Sequence, residues 1–233
     1  MVSQTFGQWM KNVKEVFIAE IQAAQGTVSS SFEDESRLLV RSVLPRQRSV
    51  GPDDRLQAGV ALRVSGPNIA VYPYVFRLVC TNGAILAHVL ASQQILHVDP
   101  LLVSETDTAL RTAVQACCQE ELFAAATAQI RAGKDVIADP ALNLLPHLAR
   151  LPRNLAAQVM DTVFNQWMMS ADRSRFGLMN VITAFARDME DPEARWQLEE
   201  LGGRVGVPVL SRPPTPLSSR VEAEPIDALV HAG

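Results

Sequence analysis

The sequence predicts an α+β fold, in which an antiparallel β-meander of three or four strands packs against several α-helices. Residues 37–80 alternate in polarity and are divided by turn signals at Gly51-Pro52 and Gly66-Pro67, which is typical of a meander. Residues 84–201 instead repeat apolar side chains every three or four positions, as helices do. A run of strands followed by a run of helices favours segregated layers, with helices covering one face of the sheet.

An amphipathic helix is predicted before the sheet, within residues 1–26. Residues 27–31, which follow it, are rich in Ser and Thr and are interpreted as a linker. The apolar stripe of this helix is expected to pack on the domain, with contact to a partner helix as the alternative. The stripe consists of Phe6, Met10, Val13, Phe17 and Ile21.

Several helices are predicted after the sheet. Residues 84–96 form one, and residues 104–133 form a long one that is expected to be unbroken. Pro152 begins another helix, because proline fits the first helical position. Asp191-Pro192 begins the last one, with Asp as its cap, and Gly202-Gly203 is expected to end it.

Three segments follow from these patterns. Residues 1–26 are the amphipathic helix, residues 32–204 are a single α+β domain, and residues 205–233 are a proline-rich tail expected to be extended or disordered. The short apolar stretch 226–230 in this tail either docks on a neighbouring molecule or stays loose.

Charge and cysteine content exclude some protein classes. With 21 basic and 25 acidic residues the net charge is −4, so a strongly basic coat for nucleic acid is excluded, although a local basic patch is not. Three cysteines do not form a disulfide framework and suggest a reducing compartment. The sequence shows neither a membrane span nor a secretory signal, so we expect a cytoplasmic protein without a membrane partner.

A local excess of arginine marks the predicted sheet. Seven arginines lie between Arg37 and Arg77, with only Asp53 and Asp54 to oppose them. Arginines beside aromatic rings bind single-stranded nucleic acid through phosphate contacts and stacking, whereas the alternative is a solvated sheet face over an aromatic core. The predicted nucleic-acid-binding residues are Arg41, Arg46, Arg48, Arg55, Arg63, Arg77, Tyr72 and Tyr74.

No catalytic motif is present. The sequence lacks a phosphate-binding loop, a dinucleotide fingerprint, a zinc-ligand set and a nucleophile elbow, so no metal, cofactor or small-molecule ligand is predicted. Cys80 could act as a nucleophile with His88 as its base, but a packed cysteine at a turn is the preferred interpretation. The acidic residues 188–193 are likewise interpreted as helix caps rather than a two-metal site.

The sequence Arg77–Gly83 carries a family resemblance. An arginine, two apolar residues and Cys-Thr-Asn-Gly after a β-rich segment resemble the signature of the phage/plasmid-like proteins of unknown function. Residues 176–188 and 198–203 are similar to the end of that family's domain, so the resemblance covers about residues 37–203. It implies a mobile-element setting and no particular reaction.

The Thr81-Asn82-Gly83 turn is the best local site within this resemblance. Asn-Gly tolerates positive φ, and Thr81 or Asn82 could cap the amides of the helix expected to follow. The same amides could instead hold an anion such as phosphate. A structural turn and an anion site therefore stay open for Thr81, Asn82 and Gly83.

Two main hypotheses about function follow. The first is a non-enzymatic protein that binds or anneals single-stranded DNA and self-associates, since strands backed by a helix also resemble single-strand-annealing proteins in element order. The second is a protein–protein interaction or assembly module that makes its contacts through the first helix and the tail. An enzyme using Cys80 or the acidic cluster ranks third, because no motif assembles a nucleophile, a base and an orienting group.

Overall fold

A computed structural model of the chain describes residues 2–87, 96–97 and 103–208. Most of the predicted helix 84–96 and of the predicted tail therefore lies outside the described residues. The α+β class is confirmed. The elements are α1 (Val2–Ala23), β1 (Thr27–Glu33), β2 (Arg37–Gly51), β3 (Asp54–Ser65), β4 (Asn68–Arg77), β5 (Asn82–Ile85), β6 (Leu96–His97), α2 (Val103–Cys117), α3 (Glu120–Ala132), a 3₁₀ turn (Gly133–Asp135), α4 (Pro140–Asn143), α5 (Leu145–Leu148), α6 (Arg153–Gln158), a π-helical turn (Val159–Phe164), α7 (Asn165–Met169), α8 (Arg175–Arg187) and α9 (Pro192–Gly206).

The sheet is antiparallel throughout and larger than predicted. Strands β1 to β5 are neighbours in chain order, and the short β6 pairs with β4. The linker predicted for residues 27–31 is wrong, because Thr27 pairs with Val43 and the pairing continues to the end of β1. As an edge strand, β1 is largely exposed, so it does not show the apolar alternation that predicts a strand.

The helix predicted to begin at Ala84 is also wrong within the described residues. Asn82–Ile85 is strand β5, whose register with β4 runs from Asn82 opposite Arg77 to Ile85 opposite Tyr74. The reversal before it requires an unusual backbone, since Thr81 has φ +51°. Thr81-Asn82 therefore begins a strand, and no helix starts there.

The first face of the sheet is covered by α1, α2 and α3. Even-numbered residues of β3, from Leu56 to Val64, point to this face and join one apolar core with helix residues such as Leu110 and Phe123. Residues Met10, Val13, Phe17 and Ile21 of α1 are buried in the same core. The apolar stripe of α1 therefore packs on its own domain, as expected, and is not available to a partner helix.

The second face of the sheet is covered by α9. Trp196 is fully buried there among Leu39, Ala61 and Ile85. The sequence predicts helices on one face only, but here helices cover both faces. This arrangement leaves no open sheet surface above the centre of β2, β3 and β4.

The helical half agrees with the sequence in part. An apolar stripe with a residue at every fourth position follows Pro152. Its four residues are buried, as predicted: Leu155, Val159, Val163 and Trp167. The long helix predicted for residues 104–133 is wrong, because the extended backbone of Gln119 (φ −66°, ψ 137°) separates α2 from α3. Neither glycine nor proline marks this break, so the residue pattern does not reveal it.

Glycines of α9 allow it to approach its neighbours closely. Asp191 caps the helix as predicted, by accepting from the amide of Glu193, but the helix continues through Gly202-Gly203 to Gly206. A Cβ atom at Gly203 would overlap the carbonyl oxygen of Ile85, and one at Gly202 would overlap Thr183. These glycines are therefore packing positions rather than a helix end.

Substituting Gly203 with Ala should destabilise the protein by at least about 2 kcal/mol, since the methyl group meets backbone that cannot move aside. Gly7→Ala is the matched control, because Gly7 lies in α1 with open space at its Cβ position. That substitution should raise the free energy of unfolding by up to about 1 kcal/mol, as expected for Ala in a helix. Urea unfolding measures both, and equal stability of Gly203→Ala and the wild-type protein would contradict the packing described here.

Candidate functional site

The register of the sheet divides the predicted nucleic-acid-binding residues between its two faces. Arg48 and Arg77 both pair with Leu56 and share the first face. Arg41, Arg63, Tyr72 and Tyr74 lie on the second face, under or beside α9. The eight predicted residues therefore do not form one patch.

The two tyrosines are packed inside the protein. Tyr72 is 9% exposed and lies 6.2 Å from the Trp196 ring, between ring centroids, while Tyr74 is 2% exposed. Burial raises the pKa of Tyr72 to about 12 and raises that of Tyr74 as well. In this structure neither ring offers a face to a nucleic-acid base, so the prediction that they stack on bases is not supported.

The arginines of the second face are engaged with carboxylates of α9. Arg41 is 3% exposed and donates from Nε to Oε2 of Glu199 at 2.5 Å, and Glu199 is 1% exposed. The Arg41 guanidinium also lies over Trp196, 5.1 Å from the ring centroid. Arg63 pairs with Glu193 at 2.8 Å. Arg41 and Arg63 therefore dock the helix on the sheet.

The other four predicted arginines lie near the turn between β2 and β3. Arg77 donates from Nε and Nη2 to both carboxylate oxygens of Asp54, each at 2.8 Å, and Lys134 approaches Asp54 at 3.8 Å. Arg46 and Arg48 share Glu120. Arg77 and Lys134 share one carboxylate, and Arg46 and Arg48 share another. Each of these groups of three side chains therefore has a net charge of about +1.

Two further arginines near this turn have no carboxylate within 4 Å among the described residues. Arg55 is exposed, and Arg131 donates to the carbonyl of Ser49. Asp53 and Asp135 lie in the adjoining turns and offset part of the charge. We call six basic residues the hairpin cations: Arg46, Arg48, Arg55, Arg77, Arg131 and Lys134. Arg131 and Lys134 are too distant in sequence from the other four to be predicted with them.

The Thr81-Asn82-Gly83 turn has a structural role in this fold. The Asn82 side chain is buried and donates to the hydroxyl of Thr183 in α8 at 2.6 Å. Gly83 leaves room for the Tyr74 hydroxyl, which a Cβ atom would overlap. Because β5 begins here, the prediction that Thr81 or Asn82 caps a helix is wrong. The prediction of an anion site depends on the amides of that helix and therefore loses its support.

Cys80 contacts two arginines in the described part of the chain. Arg77 donates to its sulfur at 3.2 Å, and Arg187 donates to its carbonyl oxygen at 2.8 Å. The proposed base, His88, lies outside the described residues. Over the described ranges, no group of three His, Cys, Asp or Glu side chains is placed to hold a metal ion.

An exposed apolar surface appears that the sequence does not predict. Ile137 is 81% exposed and Met169 is 87% exposed. The Ile137 backbone bridges Ser174, and Arg173, beside that bridge, approaches the Met168 sulfur at 3.7 Å, so the two segments are neighbours. We use the name apolar patch for the six exposed apolar side chains of residues 136–145 and 168–169, which are Val136, Ile137, Leu142, Leu145, Met168 and Met169.

The apolar patch holds six of the eight large apolar side chains that are exposed in the part of the chain that the structure describes. Soluble proteins rarely concentrate such residues in one place unless the surface binds something. Methionine adapts its shape to different partners and is frequent at such surfaces. The sequence contains only a weak signal for the patch, the pair Met168-Met169 just beyond a buried helical stripe.

Comparison with protein families, curated proteins and solved structures gives no match to this chain. The resemblance to the phage/plasmid-like proteins therefore stays a prediction. Among the described helices, none is long and apolar enough to cross a membrane.

Proposed function

We propose that this chain is a non-catalytic assembly module, in which the apolar patch receives an acidic, apolar segment of a second copy. The exposure of Ile137 and Met169 supports this proposal, because burying both side chains between two molecules releases a large apolar area from water. From the sequence alone, the first helix is an expected contact surface of an assembly module. In the structure its apolar stripe packs against its own sheet, so that stripe is not the contact surface.

Arg173 gives the apolar patch one cationic side chain for an acidic partner, beside the exposed carboxylates Asp135, Asp139 and Asp172 of the same segments. Arg173 is exposed beside Ile137 and Met168, and its guanidinium lies 5.8 Å from the centroid of the Trp167 ring. Two patches packed face to face would bring two copies of Arg173 together, which opposes a self-complementary contact. A segment with carboxylates next to apolar side chains fits this surface better.

The chain itself contains a segment of this chemistry. Residues 221–230 include Glu222, Glu224 and Asp227, together with Ile226 and Leu229, and no basic residue. Twelve residues separate this segment from Pro208, the last described residue. Extended chain spans about 3.3 Å per residue, so these residues reach roughly 40 Å, enough to contact a neighbouring molecule.

Ile137→Glu should convert an assembled protein into single chains, because a buried carboxylate would face the acidic segment of the other copy. Removal of residues 209–233 should do the same. Val79→Glu is the control, since Val79 is 59% exposed and lies outside the patch. Light scattering measures the mass, and the fold should keep its stability to within about 0.5 kcal/mol in both surface variants.

A wild-type mass of one chain would contradict assembly, and an Ile137→Glu mass equal to that of the wild type would contradict the patch as its site. Docking of residues 221–230 on the patch of their own molecule would appear as a single-chain mass. That outcome counts against the second copy as the occupant.

A second function, binding of nucleic acid, is supported by the hairpin cations. Arg55 and Arg131 have no carboxylate within 4 Å over the described residues, and arginine suits contacts with phosphate oxygens. Because Tyr72 and Tyr74 are buried, this proposal includes no stacking on bases. Binding would therefore be indifferent to sequence and strongly dependent on salt.

Arg48→Gln/Arg55→Gln should weaken binding of a labelled single-stranded oligonucleotide and lower the log–log salt slope by about 1.4, because two phosphate contacts are lost. Arg153→Gln is the matched control, since Arg153 is exposed and is not a hairpin cation. Fluorescence anisotropy across a salt series measures both. An unchanged slope in the double variant, or no binding at low salt, would reject this second function.

A further inference from the structure

We propose that a cleft between α9 and the turn after α5 binds a small oxyanion, a phosphate or a carboxylate group, through Arg150, Arg204 and His147. The cleft encloses about 340 Å³, including the solvent at its mouth. It is distinct from the apolar patch and from the hairpin cations. Its lining residues are His147, Arg150, Leu151, Gln197, Glu200, Leu201 and Arg204.

Arg204 lacks the carboxylate partner that a half-buried guanidinium normally has. Within the described ranges no carboxylate oxygen lies within 4 Å of it. Burial lowers the pKa of Arg204, and the neighbouring positive charge of Arg150 lowers it further. An anion in the cleft would offset both the desolvation of Arg204 and its repulsion from Arg150.

His147 is a further polar side chain in the lining of the cleft. Its Nδ1 atom is buried and has no hydrogen-bond partner among the described groups. Burial lowers the pKa of His147, and the positive charges of Arg204 and Arg150 lower it further. The imidazole is therefore neutral near pH 7. A neutral imidazole still donates one N–H, and an anion beside it would favour its protonated form.

Glu200 is the one carboxylate in the lining, and its negative charge opposes the effects of burial and of Arg150, which lower the pKa of Arg204. It accepts a hydrogen bond from the indole nitrogen of Trp196 at 2.8 Å. Burial raises the pKa of Glu200 above its usual value. The hydrogen bond from Trp196 and the positive charges of Arg63 and Arg204 lower this pKa, but by less. Two guanidinium groups therefore face one carboxylate, and the cleft keeps a net positive charge.

Calorimetric titration of the full chain with inorganic phosphate, at constant ionic strength set with sodium chloride, tests this site. Arg150→Gln should bind phosphate about tenfold more weakly, as expected for the loss of one charge-assisted contact. Arg150 is exposed, so this variant should fold normally. Arg153→Gln is the control and should bind as the wild type does, because Arg153 does not line the cleft.

Two further readouts complete the experiment. Phosphate should raise the pKa of His147, since a negative charge beside the ring stabilises the imidazolium. NMR measures this pKa, and the His147→Gln variant assigns the resonance to His147. Acetate titrated in the same way distinguishes a carboxylate site from a phosphate site. Absence of phosphate and acetate binding, equal affinity in Arg150→Gln and wild type, or an unmoved His147 pKa would overturn the proposal.

The oxyanion could be a free ion or a carboxylate of the chain itself. Glu222→Gln/Glu224→Gln/Asp227→Asn removes the three carboxylates of residues 221–230. Tighter phosphate binding in this variant would assign the cleft to the chain's own carboxylates, and unchanged binding would assign it to a free anion.

Discussion

The contact between α9 and the second face of the sheet decides what the rest of the molecule can do. At its centre Glu199 of α9 meets Arg41 of β2, and both side chains are almost fully buried. A buried ion pair is stable only when its geometry is good and most of its remaining atoms are bonded. Here Arg195 adds a second contact to Glu199 at 3.1 Å, whereas Nη2 of Arg41 is buried without a hydrogen-bond partner among the described groups. Glycines in α9 bring the helix close enough for this contact, because Gly203 lies against the β5 backbone. With the helix seated, helices cover both faces of the central strands.

Because helices cover the central strands, the binding sites that we propose lie at the periphery of the sheet. Arginines and tyrosines on strands have the chemistry of a single-strand-binding surface, but the same groups are equally suited to hold a helix. The groups that pair with the arginines decide which role they have. Arg41 and Arg63 pair with carboxylates of α9, so they hold the helix. Within the described part of the chain, the surfaces that we propose to bind partners are the apolar patch, the hairpin cations and the cleft beside α9. The apolar patch is built from turns and short helices, where binding residues are commonly found.

The sequence predicts the parts of this structure that have local causes. The Gly66-Pro67 turn, the cap at Asp191 and the buried stripe from Leu155 to Trp167 follow from backbone preference and periodicity, and all are confirmed. Features with non-local causes are missed. β1 is a polar edge strand that needs β2 beside it, and Gly202-Gly203 resembles a helix end until β5 and α8 are in place. Arg41 and Glu199 are 158 positions apart in the chain, so no local pattern relates them.

A double-mutant cycle on Arg41 and Glu199 tests most directly whether α9 is held on the sheet in this way. The cycle compares the free energies of unfolding of Arg41→Met, Glu199→Met and the double variant, with Arg41→Met/Arg55→Met as an uncoupled control. Each single change at the pair should cost about 3–5 kcal/mol, because it leaves a buried charge without its main partner, and the double variant should recover at least about 2 kcal/mol of the summed loss. Additive losses in the Arg41–Glu199 cycle would mean that the two side chains do not meet and that the second face of the sheet is not closed by this contact.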